Sequence, residues 1–228
     1  MAAEFVLPAG LVPDAPPDPP LEEGYEVRWR DDEDPPHYDF WVQASVLRLG
    51  RILTEAFGVL PEQVHAVLEF RKAEREDERA AAAGDESAPS HERWVSPLVP
   101  RTKVLAVLDK FGVQILHDGT VGFGAYDPES ALEVFLDDHK LLSLFAPGLD
   151  PFDAILRKHG VPAAEGFATV LDGDHDHLAL AELPEVCPEP RREWLKRKRF
   201  DPEWFVPSIR RALRMRHEPT PAEDETAD

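Results

Sequence analysis

The chain has 228 residues, a net charge of −20 and 43% apolar side chains. That length can bury a core without staples, while the charge argues against nucleic acid or anionic membrane as a partner for the body of the protein. Cys187 is the only cysteine, which excludes an intrachain disulfide framework and a cysteine-based zinc site and suits a reducing, cytoplasmic setting. No stretch approaches the roughly 20 apolar residues of a membrane span, and the first residues lack the basic region and apolar run of a signal peptide.

Residues 1–24 carry six prolines and read as a disordered, extended arm. Tyr25, Val27 and Trp29 alternate with Glu26, Arg28 and Arg30, the period of a half-buried strand. From Val42 to Phe57 the period becomes helical, with Gly58 placed to end the helix. Pro61 opens a segment that fits both periods. Val64, Ala66, Leu68 and Phe70 alternate, but the charged run beyond Phe70 favours a helix, and a helix is expected there. Residues 25–80 thus form a strand plus helical segment. Residues 81–100 form a linker, its first half poor in bulky side chains. A short helix is expected from Thr102 to Phe111, stopped by Gly112. Asp150-Pro151 and Gly160 bound another, with Phe152, Ile155 and Leu156 on one face.

Between these helices two hairpins are expected. Asp118-Gly119 between apolar runs is a strong type I′ turn signal. That turn would place Ile115 opposite Gly122 and Val113 opposite Gly124, so the glycines share a close-packed face. In the second hairpin Leu132, Val134 and Leu136 would face Phe145, Ser143 and Leu141. Both faces are partly apolar, so helices must cover them, and a homodimer would hide what the helices leave. A further hairpin is read around the polar tip DGDHDH, completing a hairpin-rich core over residues 101–186.

The hairpin tips concentrate the side chains that can hold a divalent transition metal: His117 and Asp118, then Asp137, Asp138 and His139, then Asp172, Asp174, His175, Asp176 and His177. Turns favour Asp and Gly for backbone reasons alone, so the default expectation is solvated turns with no cofactor. The last tip is not a calcium loop. His177 stands where the loop needs glycine and Leu183 where it needs glutamate.

Residues 187–218 form a basic helical segment. Arg191, Arg192, Lys196, Arg197, Lys198 and Arg199 interleave there with Trp194 and Phe200. Such a segment can dock on the protein's own acidic surface or bind nucleic acid, and docking is favoured. Residues 219–228 read as a disordered acidic tail. The fold class expected is α+β, an antiparallel sheet of short hairpins covered by amphipathic helices. The chain contains no GxSxG, Walker A or HExxH motif. The leading functional expectation is therefore a non-enzymatic regulatory protein that engages a basic protein partner, as an inhibitor or immunity-type protein does. A metal-dependent hydrolase built on the tips, and a nucleic-acid binder using the basic segment, are the alternatives.

Overall fold

The computed structural model describes residues 5–33, 35–71, 91–180 and 202–218. In chain order the elements are β1 (Leu11–Pro13), β2 (Gly24–Arg30), β3 (His37–Gln43), α1 (Val46–Val59), β4 (Gln63–Arg71), β5 (His91–Val95), β6 (Val99–Pro100), α2 (Arg101–His117), β7 (Val121–Asp127), β8 (Leu132–Leu136), β9 (Leu142–Ala146), α3 (Phe152–Lys158), β10 (His175–His177), α4 (Pro202–Leu213) and β11 (Arg216–His217). The strands build an antiparallel sheet in the order β11-β5-β4-β7-β8-β9-β3-β2, with β6 also paired to β4. The architecture is α+β, as the sequence suggests. The sheet draws strands from both sides of the expected 81–100 linker.

One face of the sheet carries Phe40, Val42, Ala66, Leu68, Phe123, Val134, Leu136 and Leu144, all buried. The helices close over it. Leu49, Leu53 and Phe57 come from α1, Val104, Leu108 and Phe111 from α2, Phe152 and Leu156 from α3, and Ile209 and Leu213 from α4, all in the same core. These are i, i+3 and i+4 positions, the stripe an amphipathic helix offers to a sheet. Phe57 meets Phe123 edge-on at 5.8 Å, joining helix to central strand.

Several expected elements take another form. Residues 63–71 are a central strand, not a helix. The alternation of Val64, Ala66 and Leu68 is buried between β5 and β7, and tertiary pairing overrides the helical charge pattern. Residues 101–117 are one helix, so the hairpin expected around Asp118-Gly119 does not exist. Gly112 lies inside α2, and Val104, Val107, Leu108, Phe111 and Ile115 bury one continuous face. Gly124 therefore pairs with Phe135 and Val67 rather than Val113. Close packing at the glycines does hold, because a Cβ on Gly124 would sit 2.5 Å from the Phe135 ring. The β8–β9 hairpin forms, but its register differs by one residue: Leu136 faces Leu142 and Val134 faces Leu144. The loop holds one residue more than expected, 137–141, with Lys140 at φ +59° within it, and this shifts every pair. Finally, the DGDHDH stretch is no hairpin. Val170–Asp172 is a 3₁₀ turn, and β10 pairs with β1.

The N-terminal arm, expected to be mobile, contributes β1 and so builds the partner strand for β10. Part of the expected linker is likewise strand, β5 and β6. Helix α4 begins at Pro202 and continues through Pro207. Cys187, Arg191, Arg192, Trp194, Lys196, Arg197, Lys198, Arg199, Phe200 and the tail 219–228 lie outside the described residues.

A candidate metal centre

One end of the sheet collects five chain segments. Phe70 pairs with Val121 and Phe123 with Leu136, so the end of β4, the start of β7 and the β8–β9 turn lie side by side. Arg71 pairs with His91 across β4 and β5, adding both residues to this end. The fifth segment is β10. It is held by β1, by Gly119 N–H donating to Leu178 O at 3.0 Å, and by Leu180 N–H donating to Asp118 Oδ2 at 3.1 Å. Buried Gln43 ties the preceding residues to β3, donating to Ala168 O and accepting from Val170 N–H.

Strand periodicity then sets the chemistry. His175 and His177 are two residues apart on β10, so both rings leave the same side. Asp176 between them is exposed. Both rings meet His139 of the β8–β9 turn. Ring centroids are 4.6 Å apart for His139–His177, 5.3 Å for His139–His175 and 5.0 Å for His175–His177. One nitrogen from each ring lies within 4.8 Å of the other two. Zinc with its usual Zn–N bonds sets ligand nitrogens about 3.3 Å apart, so small ring rotations would close the set.

Each Nδ1 already faces an oxygen. His175 Nδ1 is 2.9 Å from Gly173 O, His177 Nδ1 is 2.5 Å from Gly119 O, and His139 Nδ1 is 3.0 Å from Asp138 Oδ1. In a neutral ring, an oxygen acceptor at Nδ1 selects the tautomer with its lone pair on Nε2, and His139 must first shed a proton to offer one. The Nε2 atoms of His175 and His177 are buried and have no partner among the described residues.

Asp138 organises the cluster. Its carboxylate is 5% exposed and receives Arg71 Nη1 at 3.0 Å and His91 Nε2 at 2.9 Å on Oδ2, while His139 faces Oδ1. Burial alone would raise this carboxyl, but His139 and His91 outweigh it and hold it far below the ordinary carboxylate range. Burial likewise works to lower His139, yet Asp137 and Asp138 lift it to about 9. Hydrogen bonding to Asp138 raises His91. Burial takes His177 the other way, down to about 4, so this ring is neutral at pH 7. Lys140, buried beneath the turn, is lowered to about 8 by desolvation.

These shifts set a stability window for the metal-free protein. The stability that His91 and His139 add is complete below about pH 6.5 and is lost as pH rises through the folded value of His139, about 9. Asp138 contributes above about pH 4 and loses its contribution in acid. His177 binds fewer protons folded than unfolded, so it lowers stability below about pH 6.5. In chelator, the melting temperature should peak at about pH 6–7 and fall toward about pH 8, above which Lys140, lowered to about 8, offsets the continuing loss from His139; Asp138→Asn should flatten the fall. A melting temperature that rises between about pH 7 and 8 would contradict the network.

Of the ten residues singled out in the sequence, Asp137, Asp138, His139, His175 and His177 converge. The other five are engaged otherwise or point elsewhere. Asp118 is spent on Thr120 N–H and on Leu180 N–H. His117 ends α2, where its Nδ1 accepts from Ala9 N–H. Asp172 caps the 3₁₀ turn through Thr169 N–H. Asp174 and Asp176 are exposed. Sequence reasoning missed Arg71 and His91, whose only signal is the β4–β5 pairing. The HxH spacing on a strand was a readable signal that the turn interpretation passed over.

The placement of β10 depends on a close approach of backbones. A Cβ on Gly10 would lie 2.3 Å from Gly119 N and 2.5 Å from His117 O. Gly10→Ala should therefore cost about 1–3 kcal/mol and weaken metal binding without touching a ligand. Chemical denaturation and zinc titration measure the two effects. Unchanged zinc affinity would show that β1 does not position β10.

No known protein family matches the chain, and no curated protein or solved structure resembles it.

Proposed function

We propose that the protein holds a divalent transition metal, zinc foremost, through His139, His175 and His177, with Asp138 as the carboxylate that orients His139. The observation that carries this reading is the pair of buried, unpartnered Nε2 atoms on one face of β10. Buried nitrogens usually find a partner. Among the described residues Trp94 Nε1 and Arg101 Nε also lack one, but only the two imidazoles belong to a three-histidine cluster. Bare, buried Nε2 atoms backed by oxygen-bound Nδ1 atoms suit ligands oriented for a metal. All-imidazole ligation suits zinc, copper, iron or nickel rather than calcium or magnesium.

Three protein ligands leave a fourth position for water, the pattern of catalytic rather than structural zinc. Bound water of that kind ionises near neutral pH, so hydrolysis is the chemistry we assign to the centre. The test is elemental analysis of protein purified without chelator, followed by zinc loading and an assay of p-nitrophenyl acetate hydrolysis. About one metal per chain, and zinc-dependent turnover lost in His177→Ala, are expected. Protein that neither retains a metal nor melts higher with zinc would reject the centre. Stoichiometric zinc with no turnover on any ester or phosphoester would reject the hydrolytic assignment alone.

A further inference from the structure

The helices cover one face of the sheet, and the opposite face presents acid on an aromatic floor. Across the strands one row reads Trp41, Ser143, Phe135, Gly124, Val67, and the next reads Asp39, Phe145, Glu133, Tyr126, His65. Trp41, Val67, Phe135 and Phe145 take no part in the core that holds the helices. Trp41 is 42% exposed. At one end an open cavity of about 290 Å³ is bordered by His37, Tyr126, Glu133 and Phe145.

Charge on this face is unbalanced in one direction. Most of its cations already have partners: Arg28 meets Glu26 at 3.0 Å, Arg30 meets Glu33 at 2.9 Å, and Arg93 meets Glu218 at 3.0 Å, which leaves Arg216 at the β11 edge without an ion pair among the described residues. Three carboxylates are left over. Asp39 and Glu133 have no hydrogen-bond donor or ion-pair partner among the described residues, and Glu69 has only Arg93 at 3.7 Å. Burial raises the pKa of all three. A half-buried carboxylate without a donor is costly, and a donor from outside relieves that cost.

We propose that this face docks a cationic protein segment whose lysine or arginine side chains pair with Asp39, Glu69 and Glu133. Asp39 and Glu133 lie on strands flanking β9, about 10 Å apart, so two basic side chains of one segment can reach both. Their aliphatic stems and charged heads then rest on Trp41, Phe135 and Phe145. The partner class is a basic polypeptide, because the floor is aromatic and, among the described residues, the face carries three poorly paired carboxylates against one unpaired cation, the reverse of what a nucleic acid needs.

The experiment uses the full chain in chelator, with a labelled nona-arginine peptide as probe and anisotropy as readout. Two triple variants remove the same charge. One is Asp39→Asn with Glu69→Gln and Glu133→Gln on the face. The other is Glu62→Gln with Asp109→Asn and Glu165→Gln at exposed positions elsewhere. The face variant should bind at least tenfold more weakly and the control less than twofold. The face variant should also melt at or above the parent temperature, since it removes desolvated charge. Equal weakening by both variants would show general attraction to net charge and overturn the proposal. So would a lower melting temperature of the face variant, or a dimer in sedimentation that Trp41→Ala dissolves, which would make a second copy the occupant.

Discussion

His177→Ala is expected to lower zinc affinity by more than the about 10–100-fold that follows loss of an outer-shell partner, while leaving the fold in place. The ring makes one structural hydrogen bond, from Nδ1 to Gly119 O. Losing it leaves that carbonyl without this donor, a cost of about 1 kcal/mol. Nε2 has no partner among the described residues to lose. The two readouts therefore separate: a small change in melting temperature and a large change in zinc binding. A histidine that served packing alone would give the reverse. Asp176→Ala is the matched control. It lies between the two ligands but on the exposed side of β10 and should alter neither property. Calorimetric titration of zinc against parent, His177→Ala and Asp176→Ala decides the matter.

Asp138→Ala should produce the largest stability loss at this end of the molecule. The carboxylate is nearly inaccessible and is shared by Arg71, His91 and His139. Removing one partner of a buried ion pair typically costs about 3–5 kcal/mol, because the remaining charge stays desolvated. Arg71 and His91 are each about one-third exposed, at 36% and 31%, so water recovers part of their solvation. The expected loss is therefore near the lower bound, about 3 kcal/mol. That corresponds to a fall in melting temperature of roughly 6–12 °C for a chain of this size. Asp138→Asn keeps the shape and one acceptor, so it should be milder for stability. It should still weaken zinc binding, because an amide orients His139 less strongly than a carboxylate. Thermal unfolding in chelator and zinc titration of both variants measure these effects. No difference between Asp138→Ala and the parent would remove Asp138 from its organising role.

The elements legible in the sequence are those whose local pattern agrees with their tertiary setting. Strand β2, helices α1 and α3 and the β8–β9 hairpin have clean periods and are found near their expected places. The failures share a physical cause. Segment 63–71 satisfies both periods, and only burial between two neighbouring strands selects β. Asp118-Gly119 has the composition of a hairpin turn, but α2 runs up to it and Asp118 instead caps the following turn. One extra residue in the β8–β9 loop shifted a register that is otherwise read from alternation alone. For the site, the right residue types stood out at 137–139 and 175–177. Their meeting depended on β1 pairing with β10, a contact across more than 160 residues that no local pattern encodes. Arg71 and His91 were invisible for the same reason.

Zinc K-edge X-ray absorption on the protein as purified and after zinc loading tests the central claim most directly. Three imidazole nitrogens at about 2.0–2.1 Å with one further light ligand are expected, with loss of one imidazole shell in His175→Ala or His177→Ala. A first shell containing sulfur, which only Cys187 or a methionine could supply, would contradict it. So would a purely oxygen shell, or a zinc signal unchanged by removal of either β10 histidine.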